Sequence, residues 1–238
     1  RHSSTSRGLG DVYKRQAIKS KDVSDKRSVL HPETIKNLIS KGIEIIFESG
    51  IGDGIHVGDQ TFIDLGAKPV SRESCFSDAE IILTPSPIDD HEVKLIAVGK
   101  TLMGMVNPFD NKGLLKELCD SNVNLVSMEF VPRITRAQKM DSLSSQANLA
   151  GYAAVILGAE KLDRIFPMMT TAAGTILPTK VFVIGVGVAG LQAISTAKRL
   201  GARVKAFDSR AVVAEQVKSL GAKFVEINIG KTRQTIGG

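Results

Sequence analysis

The sequence predicts an α/β fold in two domains, each built on a parallel sheet with crossover helices. Three observations predict it. Short apolar runs alternate with helical stretches between Ala17 and Met128, and a second alternating series begins at Lys180. The composition, 42% hydrophobic with 22 glycines and only 5% aromatics, suits sheets of aliphatic strands.

In the first series, His31-Pro32-Glu33 opens a helix running to about Lys41. Proline fits the first turn, and glutamate suits the positive end of the helix dipole. Gly42 stops the helix and Ile43–Phe47 follows as a strand. A helix near Asp59–Leu65 ends at Gly66, and Ala79–Leu83 is a strand leading into Thr84-Pro85-Ser86-Pro87. A third strand is expected near Leu95–Val98, then a helix from about Asn111 to Cys119 and a fourth strand near Val123–Met128. Glu129–Asp141 is polar and irregular. From Ser142 to about Arg164 the chain reads as one long helix rich in small residues, followed by a loop over Phe166–Pro178. These elements divide the chain into residues 17–144 and 145–238, with the boundary near Ser144. Residues 1–16 lack both the apolar segment of a secretory signal and an amphipathic period, and read as a disordered or artefactual leader.

Charge and cysteine content narrow the function. Of the net charge of +6, Arg1, Arg7, Lys14 and Arg15 against Asp11 place +3 in the first sixteen residues. The rest is scattered, with no basic run interleaved with aromatics, so a nucleic-acid partner is not expected. Cys75 and Cys119 are isolated thiols, which points to a reducing compartment and away from a disulfide framework. The four histidines form no metal-ligand pattern, and no metal is expected. Apolar stretches such as Ala153–Gly158 fall far below the roughly 18–20 residues that span a bilayer, so direct membrane insertion is not expected either.

The second series carries a phosphate-binding pattern. Lys180-Val181-Phe182-Val183-Ile184 is an apolar strand ending at Gly185, and Gly187 and Gly190 complete G-V-G-V-A-G. Val188 opens a helix with Ala189, Ala193, Ala197 and Leu200 at helical spacing, and Gly201 supplies its C-cap. Arg203–Phe207 is the next strand. Asp208 follows it, 18 residues past Gly190, with Ser209 and Arg210 beside it. Each part has a physical task. Gly185 permits a tight turn, Gly187 lets backbone approach a pyrophosphate, and Gly190 allows close helix–strand packing. N–H groups around Val188 and Ala189 attract phosphate. Asp208 can accept from an adenosine ribose and repel a 2′-phosphate, which favours NAD over NADP. Arg210 is the opposing signal, since an arginine there can accommodate that phosphate. Gly185, Gly187, Val188, Ala189, Gly190, Asp208, Ser209 and Arg210 are the candidate cofactor contacts, and the domain that carries them is Rossmann-like.

The segment Phe130-Val131-Pro132-Arg133-Ile134-Thr135-Arg136-Ala137-Gln138-Lys139-Met140-Asp141-Ser142-Leu143-Ser144-Ser145-Gln146-Ala147-Asn148-Leu149-Ala150-Gly151-Tyr152 resembles the NAD(H)-binding component of the alanine dehydrogenase/transhydrogenase family. The resemblance continues through Phe166–Thr175, Gly185–Leu200, Asp208 and Glu215-Gln216-Val217, and covers about Ala17–Gly238. It implies two Rossmann-like domains, the second truncated at the C-terminus because the family continues past Gly238. It implies proton-translocating NAD(P) transhydrogenase activity, with NAD(H) on this chain and NADP(H) on a partner component. The implied partners are NADP-binding and membrane-spanning components and a second copy of this chain. The implied location is the cytoplasmic face of the bacterial inner membrane or the mitochondrial matrix face, peripheral through those partners.

By motif, the residues that surround the nicotinamide in the family fall on Arg133, Gln138, Asp141 and Ser144, the candidate catalytic set, with Arg133 and Arg136 as further cofactor contacts. Judged on the residues alone, Asp141 and Ser144 also suit the first turn of the long helix as caps, and Arg133 and Arg136 suit solvated loop charges. Alanine dehydrogenases of the same family use a lysine and a histidine where this chain has Ile81-Ile82-Leu83-Thr84-Pro85 and Met103-Gly104-Met105-Val106-Asn107-Pro108. That activity is the alternative, beside a non-catalytic NAD-binding module. The family's opening strand motif is also disrupted here, at Ala17-Ile18-Lys19-Ser20-Lys21.

Overall fold

A computed structural model describes residues 14–77 and 80–227. The chain forms two compact units, Arg1–Val131 and Pro132–Gly238. The first contains β1 (Lys14–Ala17), α1 (Pro32–Ile39), β2 (Glu44–Glu48), α2 (Asp59–Asp64), β3 (Lys68–Val70), α3 (Arg72–Ser77), β4 (Ile81–Thr84), α4 (Asp90–Leu95), β5 (Thr101–Gly104), α5 (Lys112–Asp120) and β6 (Asn124–Ser127). Among the described residues its sheet has six strands in the order β3-β2-β1-β4-β5-β6, every pair parallel. That is the doubly wound order, which reverses direction between β1 and β4.

Strand alternation feeds a core on both faces. Ala17 joins one apolar cluster and the next residue, Ile18, joins another; Ile82 belongs to the second and Leu83 packs against the first. Phe47 and Phe62 meet edge to face at 5.3 Å in the first cluster.

Three sequence expectations need correction here. The leader does not extend to residue 16, because Lys14–Ala17 is a central strand, paired in register with β2 and β4. Gln16 and Ala17 are buried there, and residues 1–13 lie outside the described residues. The disrupted motif at Ala17–Lys21 begins where this strand ends. The strand expected at Leu95–Val98 is instead the end of α4 and a turn. Asp89 and Glu92 close a capping box, with Asp89 Oδ1 accepting the Glu92 N–H at 2.9 Å and Glu92 Oε2 accepting the Asp89 N–H at 3.1 Å. The box sets a helix that buries Val93 and is followed by buried Ile96, while Val98 is left 75% exposed. The strand comes at Thr101–Gly104 instead. Of the strand expected at Ala79–Leu83, Ala79 lies outside the described residues and the observed strand begins at Ile81.

The second unit contains α6 (Ser142–Lys161), β7 (Met169–Thr171), β8 (Gly174–Ile176), β9 (Lys180–Ile184), α7 (Val188–Arg199), β10 (Arg203–Phe207), α8 (Ala214–Ser219) and β11 (Lys223–Phe224). Its parallel sheet runs β11-β10-β9, and β7 and β8 form an antiparallel hairpin inside the expected Phe166–Pro178 loop. The division between the units precedes the expected Ser144. Arg133 and the 3-10 segment Thr135–Met140 lead into the Asp141 cap of α6 and belong with that helix.

Candidate dinucleotide-binding site

The Gly-rich turn joins β9 to α7, and its three glycines do three different things. Gly185 leaves the strand at φ +89°, a backbone that side chains rarely adopt. A Cβ on Gly190 would lie 1.9 Å from the Gly185 carbonyl oxygen, so the first turn of α7 packs directly on the strand end. A Cβ on Gly187 would meet nothing within 4 Å. Backbone is therefore approachable from outside at Gly187 alone of the three without the turn itself being strained or closed.

Gly187 is also the N-cap of α7 and provides no side-chain acceptor, so the first N–H groups of the helix lack a capping oxygen. They border an open cavity of about 560 Å³ lined by Gly185, Gly187, Val188, Ala189 and Gly190. Its opposite wall comes from the start of α6, including Arg133, Leu143 and Ser144. Small residues bring that wall close. Ala147, Ala150, Gly151 and Ala154 repeat at helical spacing along the cavity, and a Cβ on Gly151 would lie 2.1 Å from the Ala189 carbonyl oxygen. The donor-lined, side-chain-free opening at Gly187 fits a pyrophosphate, which needs backbone N–H groups and a helix N-terminus.

The residues from the 130–144 segment divide. Arg133 and Ser144 line the cavity, whereas its described wall includes neither Arg136, Gln138 nor Asp141. Arg136 and Gln138 are exposed on the 3-10 segment. Asp141 caps α6: its Oδ1 accepts the Ser144 N–H at 2.9 Å and its Oδ2 accepts the Ser144 hydroxyl at 2.6 Å. Those two bonds, the hydroxyl first, together with the nearby Arg133 charge, hold the Asp141 carboxyl below its ordinary range. The cap thus orients Ser144, which lines the cavity.

At the end of β10, Asp208 is only 7% exposed in its side chain. Its Oδ2 accepts the Val186 N–H at 2.7 Å, and Oδ1 accepts the Arg210 backbone N–H at 2.8 Å and Arg210 Nε at 3.0 Å. Arg210 Nη2 adds a bond to Oδ2 at 3.2 Å. The Arg210 side chain is the main cause of an Asp208 pKa lowered to about 2, with the two backbone donors adding to it against the effect of burial. Ser209 is exposed beside them. Val186 and Gly151 are the contributors that sequence reasoning missed. Val186 acts through its backbone, which leaves no residue signature. Gly151 lies in the small-residue run that was visible in α6.

Residues 18–150 match the family model described as "Alanine dehydrogenase/PNT, N-terminal domain", and residues 154–236 match "Alanine dehydrogenase/PNT, C-terminal domain". The chain is 44% identical over 229 residues to the first segment of NAD(P) transhydrogenase subunit alpha of Rhodospirillum rubrum, a match covering 92% of this chain and 59% of that protein. It is 45% identical over 214 residues to the protein of the same name from Rickettsia prowazekii, covering 88% and 56%. The solved transhydrogenase of Sinorhizobium meliloti superposes with a TM-score of 0.84 at 42% identity, over 89% of this chain and 64% of that one. The chain therefore spans less than two thirds of the length of these relatives. With both halves matched in order along the sequence, this chain belongs to the alanine dehydrogenase/PNT family.

Proposed function

We propose that this chain is the NAD(H)-binding component of a proton-translocating NAD(P) transhydrogenase, passing hydride from NADH to NADP⁺ held by a partner component. The observation that carries the reading is the cavity in which the Gly-rich turn faces Arg133 and Ser144 from the segment most like the family. When bound, the nicotinamide supplies the hydride chemistry, so the protein needs to provide position and exclusion of water, and no nucleophile.

The roles follow from the geometry. The N–H groups at Val188 and Ala189 hold the pyrophosphate over Gly187, and Asp208 selects a ribose free of 2′-phosphate. Arg133 and Ser144 orient the ring end, with Asp141 acting through Ser144. Gln138 joins them from the exposed 3-10 segment, and Arg136 adds positive charge to the approach for phosphate. No helix among the described residues is long and apolar enough to cross a membrane. The proton path accordingly belongs to membrane-spanning partners, on whose cytoplasmic or matrix face this chain sits, as a homodimer. The test is calorimetric titration with NADH, then NADH oxidation in the presence of an NADP-binding transhydrogenase component and NADP⁺. The reading expects NADH binding and oxidation that depends on both additions. Oxidation supported by pyruvate and ammonia instead would replace it with the alanine dehydrogenase alternative.

A further inference from the structure

The acceptor capacity of Asp208 is full before any ligand is considered. An ionised carboxylate offers about four lone-pair positions. Four donors occupy them: the Val186 and Arg210 backbone N–H groups, and Nε and Nη2 of the Arg210 side chain. Arg210 Nη2 also donates to the Val186 carbonyl at 3.3 Å, so one guanidinium joins the end of β10 to the Gly-rich turn. The backbone donors belong to the fold. The two side-chain donors can leave together, and their departure opens one position on each carboxylate oxygen. Two adjacent acceptors are what a vicinal diol needs for its two hydroxyls.

We propose that the Arg210 guanidinium is a built-in occupant of the ribose-diol position on Asp208, and that it must vacate that position for a dinucleotide to bind. The inference rests on the NAD(H) reading of the Gly-rich turn. Its energetic consequence has a definite sign. A paired guanidinium and carboxylate make charge-assisted bonds stronger than those from neutral hydroxyls, so the exchange weakens NADH binding. The displaced guanidinium stays tethered two residues from Asp208, where its charge favours a 2′-phosphate. Arg210 therefore lowers affinity for NADH and narrows the discrimination against NADPH, acting on specificity in the sense opposite to Asp208.

Calorimetric titration of the wild type and Arg210→Ala with NADH and with NADPH tests this. The variant should bind NADH about threefold more tightly or better, the scale of one partly exposed ion pair, and should bind NADPH no more tightly. A second readout needs no variant. In the wild type, the Arg210 Nε–H signal in nitrogen-15 NMR should be slow to exchange without ligand and should lose that protection at saturating NADH. A third needs no nucleotide: by carbon-13 NMR, Asp208 should titrate well above the wild-type value in Arg210→Ala. If both proteins bind NADH equally, or the Nε–H signal is unmoved by saturating NADH, the exchange is wrong while the NAD(H) site stands. If Asp208 shifts in the variant but neither protein binds NADH, the NAD(H) reading is what fails, and the exchange goes with it.

Discussion

Four donors converging on one carboxylate give Asp208 a pH signature as well as a role in selectivity. Its folded pKa, about 2, lies below the ordinary 3.8, so the charged form is favoured by folding. The stability this contributes is present above pH 4 and is lost as pH falls from about 4 toward 2. Asp208→Asn should flatten acid unfolding in that window, and should bring the dissociation constants for NADH and NADPH closer together. Tighter binding of NADPH than NADH by the wild type would contradict the selectivity assigned to this residue. Asp141 separates two roles by two substitutions. Asp141→Ala removes the cap of α6 and should cost about 1 kcal/mol in thermal or denaturant unfolding, whereas asparagine is itself a good cap and should cost little. Asp141→Asn should still slow hydride transfer at saturating NADH by about tenfold, roughly 1.4 kcal/mol, through the changed hold on Ser144. An asparagine variant with the wild-type rate would leave Asp141 as a cap and nothing more. At this scale the sequence was informative where a side chain carries the task, as at Asp208 and Asp141. It was silent where backbone does, as at Val186.

The strand–turn–helix element β9–α7 was legible from end to end, because its apolar run, glycine spacing and helical period are all local signals. The same is true of β10, whose expected and observed limits coincide. The strand expected at Leu95–Val98 failed because an apolar run of four does not reveal its period, and the Asp89–Glu92 box decided for a helix. The β7–β8 hairpin was missed because its residues are exposed on both strands, so no alternation marks it. Two glycines test the turn by contrast. Gly190→Ala puts a methyl group against backbone that cannot give way and should destabilise the second unit by about 1–3 kcal/mol. Gly187→Ala meets no atom of the protein and should leave unfolding unchanged, yet should weaken NADH binding by at least about tenfold by filling the phosphate approach. Equal stability losses in the two variants would contradict the division of labour in the turn. In the first unit, Arg72 at the start of α3 holds Glu48 at 2.7 Å and Glu92 at 2.6 Å, both nearly buried. Burial opposes ionisation of Glu92, but Arg72, Lys21 and the Asp89 N–H outweigh it and its pKa is lowered. Arg72→Ala strands two buried carboxylates and should cost about 3–5 kcal/mol in denaturant unfolding at neutral pH. A loss near zero would show that water reaches the cluster.

Across the whole molecule, two doubly wound units follow from one rule applied twice, that alternating helices and strands return to a parallel sheet by right-handed crossovers. The rule explains the six-stranded sheet of the first unit and the parallel sheet of the second, and it leaves function to the details of a single turn. Only the second unit carries the glycine spacing, the acidic residue after its second strand and the facing segment from Arg133 to Ser144. The central claim is that this chain holds NADH so that hydride passes directly to NADP⁺ on another component. The most direct measurement uses NADH deuterated at nicotinamide C4, mixed in ordinary water with this protein, the NADP-binding component and NADP⁺. Mass spectrometry of the product should find deuterium in NADPH, with none lost to solvent and no transfer when this protein is omitted. NADPH formed without the label, or no NADPH at all from a protein that binds NADH, would contradict the account.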